Sequence, residues 1–131
     1  MTTGMQFATT PRIGIGAVST ANTNFDGTGT IVDLLTAGSS GTKINRIIIQ
    51  ATVDPADSMI PIFLYNGSTY YLYDIFDIGN PATSSATVAG YRDERSYSDL
   101  VLPTSSWKIS ASITVALTSG VMNVFALGAD L

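Results

Sequence analysis

The chain consists mainly of short segments in which apolar and polar residues alternate, separated by glycine, proline and asparagine. Residues 107–114, WKISASIT, place Trp, Ile, Ala and Ile at every second position. Residues 43–53, KINRIIIQATV, are rich in β-branched residues, and Ile44, Ile47 and Ile49 indicate one apolar face. A period of two is typical of β-strands, and no segment has the period of a helix. The pattern therefore predicts an all-β protein.

Turn residues divide this pattern into about eight strands. The clearest turn is Asn66-Gly67, which lies between two β-rich runs and predicts a tight hairpin. In the strand after it, alternation predicts a core face formed by Tyr70, Leu72, Asp74, Phe76 and Ile78. The eight predicted strands cover residues 12–18, 28–36, 43–53, 59–65, 68–78, 96–102, 107–114 and 120–127, and a stretch around 86–89 is a candidate for a further short strand.

The spacing of these strands is typical of a β-sandwich or barrel, and we predict an antiparallel β-sandwich that is jelly-roll-like. An immunoglobulin-like sandwich would show the same pattern. We assign residues 13–131 to this one domain. Residues 1–12 are predicted to form an extended N-terminal arm, because MTTGMQFATT is polar apart from the isolated Met1, Met5 and Phe7.

Composition points to a protein whose surface is uncharged or covered by partners. Charged residues make up 12% of the 131 residues, about half of the usual fraction. The net charge is −4 with six basic residues and no basic stripe, so we expect no nucleic-acid partner. The chain contains no apolar run of membrane-spanning length, so we expect no membrane partner.

The chain lacks two of the residue types that most often take part in catalysis. The chain has no histidine and no cysteine, which excludes thiolate nucleophiles, Cys/His zinc sites and a Ser-His-Asp triad. Asp74 and Asp77 lie three apart, so a regular strand points them to opposite faces and prevents them from acting as an acid–base pair. We therefore predict that the protein is not an enzyme and has no catalytic residues, cofactor or metal.

Residues 22–33, NTNFDGTGTIVD, nearly match the calcium-binding loop of a helix–loop–helix site. Asn22, Asn24 and Asp26 occupy the first ligand positions, Gly27 the sharp turn and Asp33 the twelfth position. No amphipathic helix flanks the stretch, however, and its last residues are predicted to be a strand. We favour a turn in which Asn, Asp and Gly are selected for their backbone conformations.

Two groups of residues are candidates for contacts with a partner. The row of tyrosines around the predicted hairpin fits a protein interface better than a carbohydrate platform, because Tyr joins a flat apolar face to a polar tip. The charged run at residues 91–95 is either a solvated loop with local ion pairs or a contact that fixes the register of a partner. The candidate interface residues are Met5, Phe7, Tyr65, Tyr71, Tyr73, Arg92, Glu94 and Arg95.

Four ordered segments resemble small virion-associated proteins of tailed bacteriophages. They are DGTGTIVDLLTAGSSGTKINRIIIQAT, IFLYNGSTYYLYDI, LVLPTSSWKISAS and MNVFALGADL, and the resemblance covers residues 22–131. The chain departs from that pattern at Ala129, where a second glycine is usual, and in the longer linker PATSSATVAGYRDERSYSD.

The resemblance implies a capsid decoration (cement) protein. Such a protein would bind the major capsid protein on the outside of the shell, after assembly in the host cytoplasm, and would stabilise the shell by bridging capsomers. It would also bind copies of itself as a closed oligomer, for which we expect a trimer. Two alternatives remain: a glycan- or receptor-binding module of a head or tail fibre, and a neck or tail adaptor.

Overall fold

A computed structural model describes residues 9–55, 57–79, 85–87 and 89–131. Within these residues the chain forms strands joined by turns and loops, and no helix with the length and apolar character needed to cross a membrane is present. The strands are β1 (Thr10–Val18), β2 (Val32–Thr36), β3 (Thr42–Ala51), β4 (Ser58–Tyr65), β5 (Tyr70–Ile78), β6 (Arg92–Leu102), β7 (Lys108–Ala111) and β8 (Met122–Asp130).

The strands form two four-stranded antiparallel sheets, ordered β1-β8-β3-β6 and β2-β7-β4-β5. Strands pair from the two ends of the chain inward: β1 with β8, β2 with β7, β3 with β6 and β4 with β5. A ribbon paired in this way and rolled into two sheets is a jelly roll. The predicted β-sandwich is therefore confirmed, and the strand order selects the jelly roll over the immunoglobulin-like arrangement.

The core lies between the two sheets and is almost entirely aliphatic. The first sheet contributes fully buried isoleucines from β3 and the inner residues of β8, and the second contributes residues of β4, β5 and β7. The residues with no exposed surface include Ile44, Ile47, Ile49, Ile60, Ile62, Phe76, Ile78, Ile109, Met122 and Val124. The predicted face of β3 is confirmed, and its spacing of three between Ile44 and Ile47 reflects a shift of register within the strand.

The β4–β5 hairpin forms where Asn66-Gly67 predicts it. Its loop spans residues 66–69, longer than a two-residue turn, because Tyr65 pairs with Tyr70. Gly67 has a positive φ of 101°, and the Asn66 side chain accepts hydrogen bonds from the amides of Ser68 and Thr69. The asparagine therefore closes the loop through its side chain as well as its backbone.

The predicted core face of β5 is correct in one half of the strand and wrong in the other. Phe76 and Ile78 are buried, but Leu72 is 41% exposed. Ile62 pairs with Asp74 whereas the next residue of β4, Phe63, pairs with Leu72, so Tyr73 is an extra residue without a partner. This β-bulge breaks the two-residue alternation and turns Leu72 away from the core.

Four residues of the charged run, 92–95, belong to strand β6, so the alternative of a solvated loop is wrong for them. Arg92 pairs with Gln50 of β3 and Glu94 pairs with Ile48, so the charged residues take part in regular antiparallel pairing with β3. β6 is the edge strand of its sheet, and edge strands tolerate charged side chains. In the predicted strand around residues 86–89, the described residues 86, 87 and 89 lie outside any strand.

Strand β1 turns glycines toward the core and isoleucines toward the outside. Gly14 and Gly16 are buried, whereas Ile13 and Ile15 are 58% and 57% exposed. A Cβ on Gly14 would lie 2.3 Å from the Leu34 carbonyl oxygen, and one on Gly16 would lie 2.6 Å from the Leu34 side chain. The missing side chains therefore let β2 pack directly against β1.

We predict that Gly14→Ala lowers the free energy of unfolding by about 2–3 kcal/mol, as overpacking of a core does. Gly16→Ala should cost less, because its new methyl group would meet flexible side chains rather than backbone. Urea denaturation provides the measurement. Gly79→Ala is the matched control, since nothing lies within 4 Å of its Cβ position. Equal losses at Gly14 and Gly79 would contradict the close approach of β1 and β2.

Candidate interaction surfaces

The loop at residues 22–33 is held by its own asparagine and aspartate side chains. Buried Asn22 donates hydrogen bonds to two loop carbonyl oxygens, at 2.9 and 3.0 Å. The Asp26 carboxylate accepts from the amide and the hydroxyl of Thr28, and Gly27 and Gly29 have φ values of 91° and 85°. These are the roles that the turn interpretation gives to Asn, Asp and Gly.

Asp33 serves a different network, which joins three strands of the second sheet. Its carboxylate accepts hydrogen bonds from Ser110 at 2.8 Å, Tyr70 at 3.0 Å and Lys108 at 3.2 Å. Burial alone would raise the pKa of Asp33, but these hydrogen bonds outweigh burial and lower it. Burial and the bond to Asp33 raise the pKa of Tyr70 to about 12. The Asp33 carboxylate thus links three strands through its hydrogen bonds. Among the described residues, no group of three or more carboxylates lies close enough together to hold a metal ion.

One long side of the sandwich is closed by a cluster that joins the edge strands β5 and β6. The Asp74 carboxylate of β5 accepts a hydrogen bond from the Tyr97 hydroxyl at 2.7 Å and forms an ion pair with Arg95. Burial alone would raise the pKa of Asp74, but the bonds from Tyr97, Arg95 and the Ile75 amide outweigh burial and lower it. This group of Asp74, Arg95 and Tyr97 is called the β5–β6 seam below.

Aromatic contacts extend the β5–β6 seam. The Arg95 guanidinium lies 4.8 Å from the centre of the Phe76 ring, and the rings of Tyr73 and Tyr97 are 5.8 Å apart. A cation over an aromatic ring is attracted to the ring face, and this contact adds to the ion pair that the same guanidinium forms with Asp74. Arg95 and Tyr73, both predicted to contact a partner, are therefore also bound within the chain.

Four of the six tyrosines lie in the β4–β5 hairpin. Tyr65 packs on Tyr70 with ring centres 4.4 Å apart, and Lys108 lies 5.5 Å from the Tyr65 ring. Tyr71 and Tyr73 are 53% and 45% exposed on the edge strand β5. The hairpin thus presents two accessible tyrosines beside a fixed pair.

The outer surface of the first sheet is apolar at its centre and charged on one side. Its apolar residues are Ile13, Ile15, Ile48, Phe125 and Leu127, and this set is called the outer apolar face. Cross-strand pairing brings them together, because Ile15 pairs with Phe125, which also pairs with Ile48. Next to them Glu94 forms ion pairs with Arg46 at 3.2 Å and Arg92 at 3.5 Å.

The candidate residues therefore fall in three places rather than one. Tyr65 and Tyr71 lie at the hairpin, Tyr73 and Arg95 at the β5–β6 seam, and Arg92 and Glu94 beside the outer apolar face. Met5 and Phe7 lie outside the described residues. Sequence reasoning missed the outer apolar face, although two signals were present: isoleucines alternating with glycines in β1, and the Ile47–Ile49 run in β3.

We predict that Asp74→Asn lowers the free energy of unfolding at pH 7 by about 2 kcal/mol, since it removes hydrogen bonds to a charged acceptor. The pKa of Asp74 in the folded protein lies below the ordinary value of 3.8. Its contribution to stability is therefore present above that value and is lost as the pH falls through the folded-state pKa. Urea denaturation at pH 7 and pH 3 should show a smaller acid-induced loss in the variant.

Asp77→Asn is the matched control, because Asp77 lies on the exposed side of the same strand. It should change stability at pH 7 by less than about 0.5 kcal/mol. If the two variants lost the same stability, the β5–β6 seam would not contribute as described.

Comparison with known proteins identifies a related fold. No protein-family model matches the chain, and no curated protein matches it in sequence. A chain in the acidic stable capsid structure of Helicobacter pylori bacteriophage KHP30 is similar, with a TM-score of 0.55 and 13% identity over 95% of this chain and 90% of that chain.

Two structures of infectious bursal disease virus, from the Gx and Gt strains, give TM-scores of 0.37 and 0.34 at 12% identity. This chain aligns over 98% of its own length but over only 35% and 34% of theirs. The comparison with KHP30 shows that the jelly-roll fold of this chain also occurs in a phage capsid structure.

Proposed function

We propose that the chain is a structural protein of a tailed-phage virion that decorates the outer surface of the capsid. In this role it binds the major capsid protein, forms a trimer and bridges neighbouring capsomers. The observation that carries the proposal is the jelly-roll topology, with its strand order β1-β8-β3-β6 and β2-β7-β4-β5. Its likeness to a chain of a phage capsid structure supports the proposal, and so do the ordered sequence segments that resemble phage virion proteins.

The surface of the molecule suits a protein that is covered by partners. Only 12% of the residues are charged, and the outer apolar face exposes isoleucines that water solvates poorly. Burial of apolar surface contributes roughly 25 cal/mol per Å². A modest contact at each copy would then stabilise a shell strongly, because the contact is repeated at every copy.

The internal networks suit a rigid clamp rather than a catalyst. Asp33 and Asp74 each accept several hydrogen bonds from neighbouring strands, so their carboxylates stabilise the fold. A decoration protein needs such a stiff body, because a clamp resists shell expansion only when it does not deform itself. The arm, with Met5 and Phe7, and the exposed tyrosines of the hairpin are the proposed contacts of this body.

We predict that purified protein binds saturably to particles of the encoding phage that were produced without it. The bound protein should raise the temperature at which these particles release their DNA, because bridged capsomers separate less readily. Cosedimentation measures the occupancy, and a DNA-binding dye measures release. Protein that neither binds these shells nor changes their release temperature would contradict the decoration role.

A deletion tests the contribution of the arm within this role. Removing residues 1–8 should weaken shell binding at least tenfold while leaving β1 intact, since β1 begins at Thr10. The matched control is Phe25→Ala, which removes an exposed aromatic side chain from the loop before β2. Unchanged occupancy of the shell after the deletion would show that the arm does not contribute to shell binding. The decoration role itself would not be affected.

A second candidate function is glycan binding by a head or tail fibre. The exposed Tyr71 and Tyr73 favour it, because tyrosine rings provide flat apolar surfaces and jelly rolls also occur in lectins. This function predicts glycan-array binding that the variant Tyr71→Ala/Tyr73→Ala loses at least tenfold. The control is Phe25→Ala, and an array without bound glycans would contradict this candidate.

A further inference from the structure

The outer apolar face contains two adjoining grooves that run along the strands. One has a volume of about 260 Å³ and is lined by Ile13, Ile48, Gln50, Arg92, Phe125 and Leu127. The other, of about 360 Å³, shares Ile13 and Leu127 and is also lined by Pro11, Arg12, Asn45, Arg46 and Gly128. Together they form an open channel that extends from the beginning of β1 toward Gln50. The channel is apolar at its centre, at Ile48 and Phe125, and polar toward Asn45 and Arg46, which suits an uncharged extended segment with a few apolar side chains.

The chain itself supplies such a segment at the margin of this channel. The described chain begins at Thr9, whose amide donates a hydrogen bond to the Asp130 carbonyl oxygen at 2.8 Å. Arg12 forms an ion pair with the Asp130 carboxylate at 2.9 Å. The start of β1 is thus fixed, and residues 1–8 leave from this point. Their sequence, MTTGMQFA, carries no charged side chain and includes Met1, Met5 and Phe7.

The reach of the arm decides which channel it can fill. Ile15, level with Phe125 and Ile48, lies six residues beyond Thr9, or about 20 Å along the strand. Phe7 lies two residues before Thr9, and two residues span at most about 7 Å. Phe7 therefore cannot fold back to the centre of its own channel. The same residue of a neighbouring copy has no such limit.

We propose that the channel on the outer apolar face binds residues 1–8 of a neighbouring copy of this chain, with Phe7 packed against Ile48 and Phe125. Phe7 brings a large apolar side chain to a groove that is apolar at its centre, and the methionines adapt to the irregular walls. The proposal deepens the decoration role, which includes a trimer, by naming the residues that join one copy to the next. These contacts form whether or not the protein is bound to a shell.

Cross-linking of the purified protein tests this contact. The chain contains no cysteine, so introduced cysteines are unique. A Phe7→Cys protein is mixed with an Ile48→Cys protein that carries a mass tag, and the mixture is oxidised. We expect a disulfide-linked species containing one copy of each, at a yield at least tenfold above that of Phe7→Cys mixed with tagged Tyr71→Cys. Tyr71 is the matched control, because it is exposed on the other sheet.

Further variants separate the outcomes. Ile15→Cys offers a second position on the same face, and circular dichroism checks that each variant folds. Equal yields with Ile48→Cys, Ile15→Cys and Tyr71→Cys would overturn the proposal, and so would a double variant Phe7→Cys/Ile48→Cys that links only within one chain. Because no shell is present, failure here leaves the decoration role intact, and failure to bind shells leaves this contact intact.

Discussion

The outward position of Ile13 and Ile15 follows from the period of two in strand β1, whose inner positions are glycines. Gly14 and Gly16 allow β2 to pack against β1, with Leu34 where their side chains would be. Any residue larger than glycine would push the two strands apart. The same alternation places isoleucines on the outer surface of the sheet. One constraint therefore both closes this edge of the sandwich and creates its apolar outer face.

The opposite side of the sandwich is closed by different chemistry. There the β5–β6 seam joins the two edge strands through an aspartate, an arginine and a tyrosine. Charged and polar groups on edge strands also discourage unwanted pairing with other sheets. The molecule thus has one edge closed by close packing and one by polar bonds, and its outer apolar face remains accessible. A body of this kind is suited to assembling through that face.

Much of the fold could be predicted from local pattern, because alternation and turn residues are local properties. The hairpin at Asn66-Gly67 and the buried face of β3 are confirmed for this reason. The exposure of Leu72 could not be predicted, since the bulge at Tyr73 depends on how β5 pairs with β4. The strand at residues 92–95 was obscured by its charges, which an edge strand can carry.

The interaction surfaces were harder to predict than the fold. An isoleucine in an alternating strand is ordinarily assigned to the core. In β1 the packing of Leu34 on Gly14 shows that the glycines face the core and the isoleucines face outward. The contact between Asp74 and Arg95 joins strands that are adjacent in the chain but lie in different sheets. Such a contact requires the rolled-up topology, which strand periodicity alone does not provide.

Electron cryomicroscopy of the particles produced from the genome that encodes this chain tests the proposed decoration role most directly. The account predicts a small jelly roll on the outside of the shell, in groups of three, with contacts to more than one capsomer. Density for the chain only in the tail or neck, or a shell without it, would contradict the account.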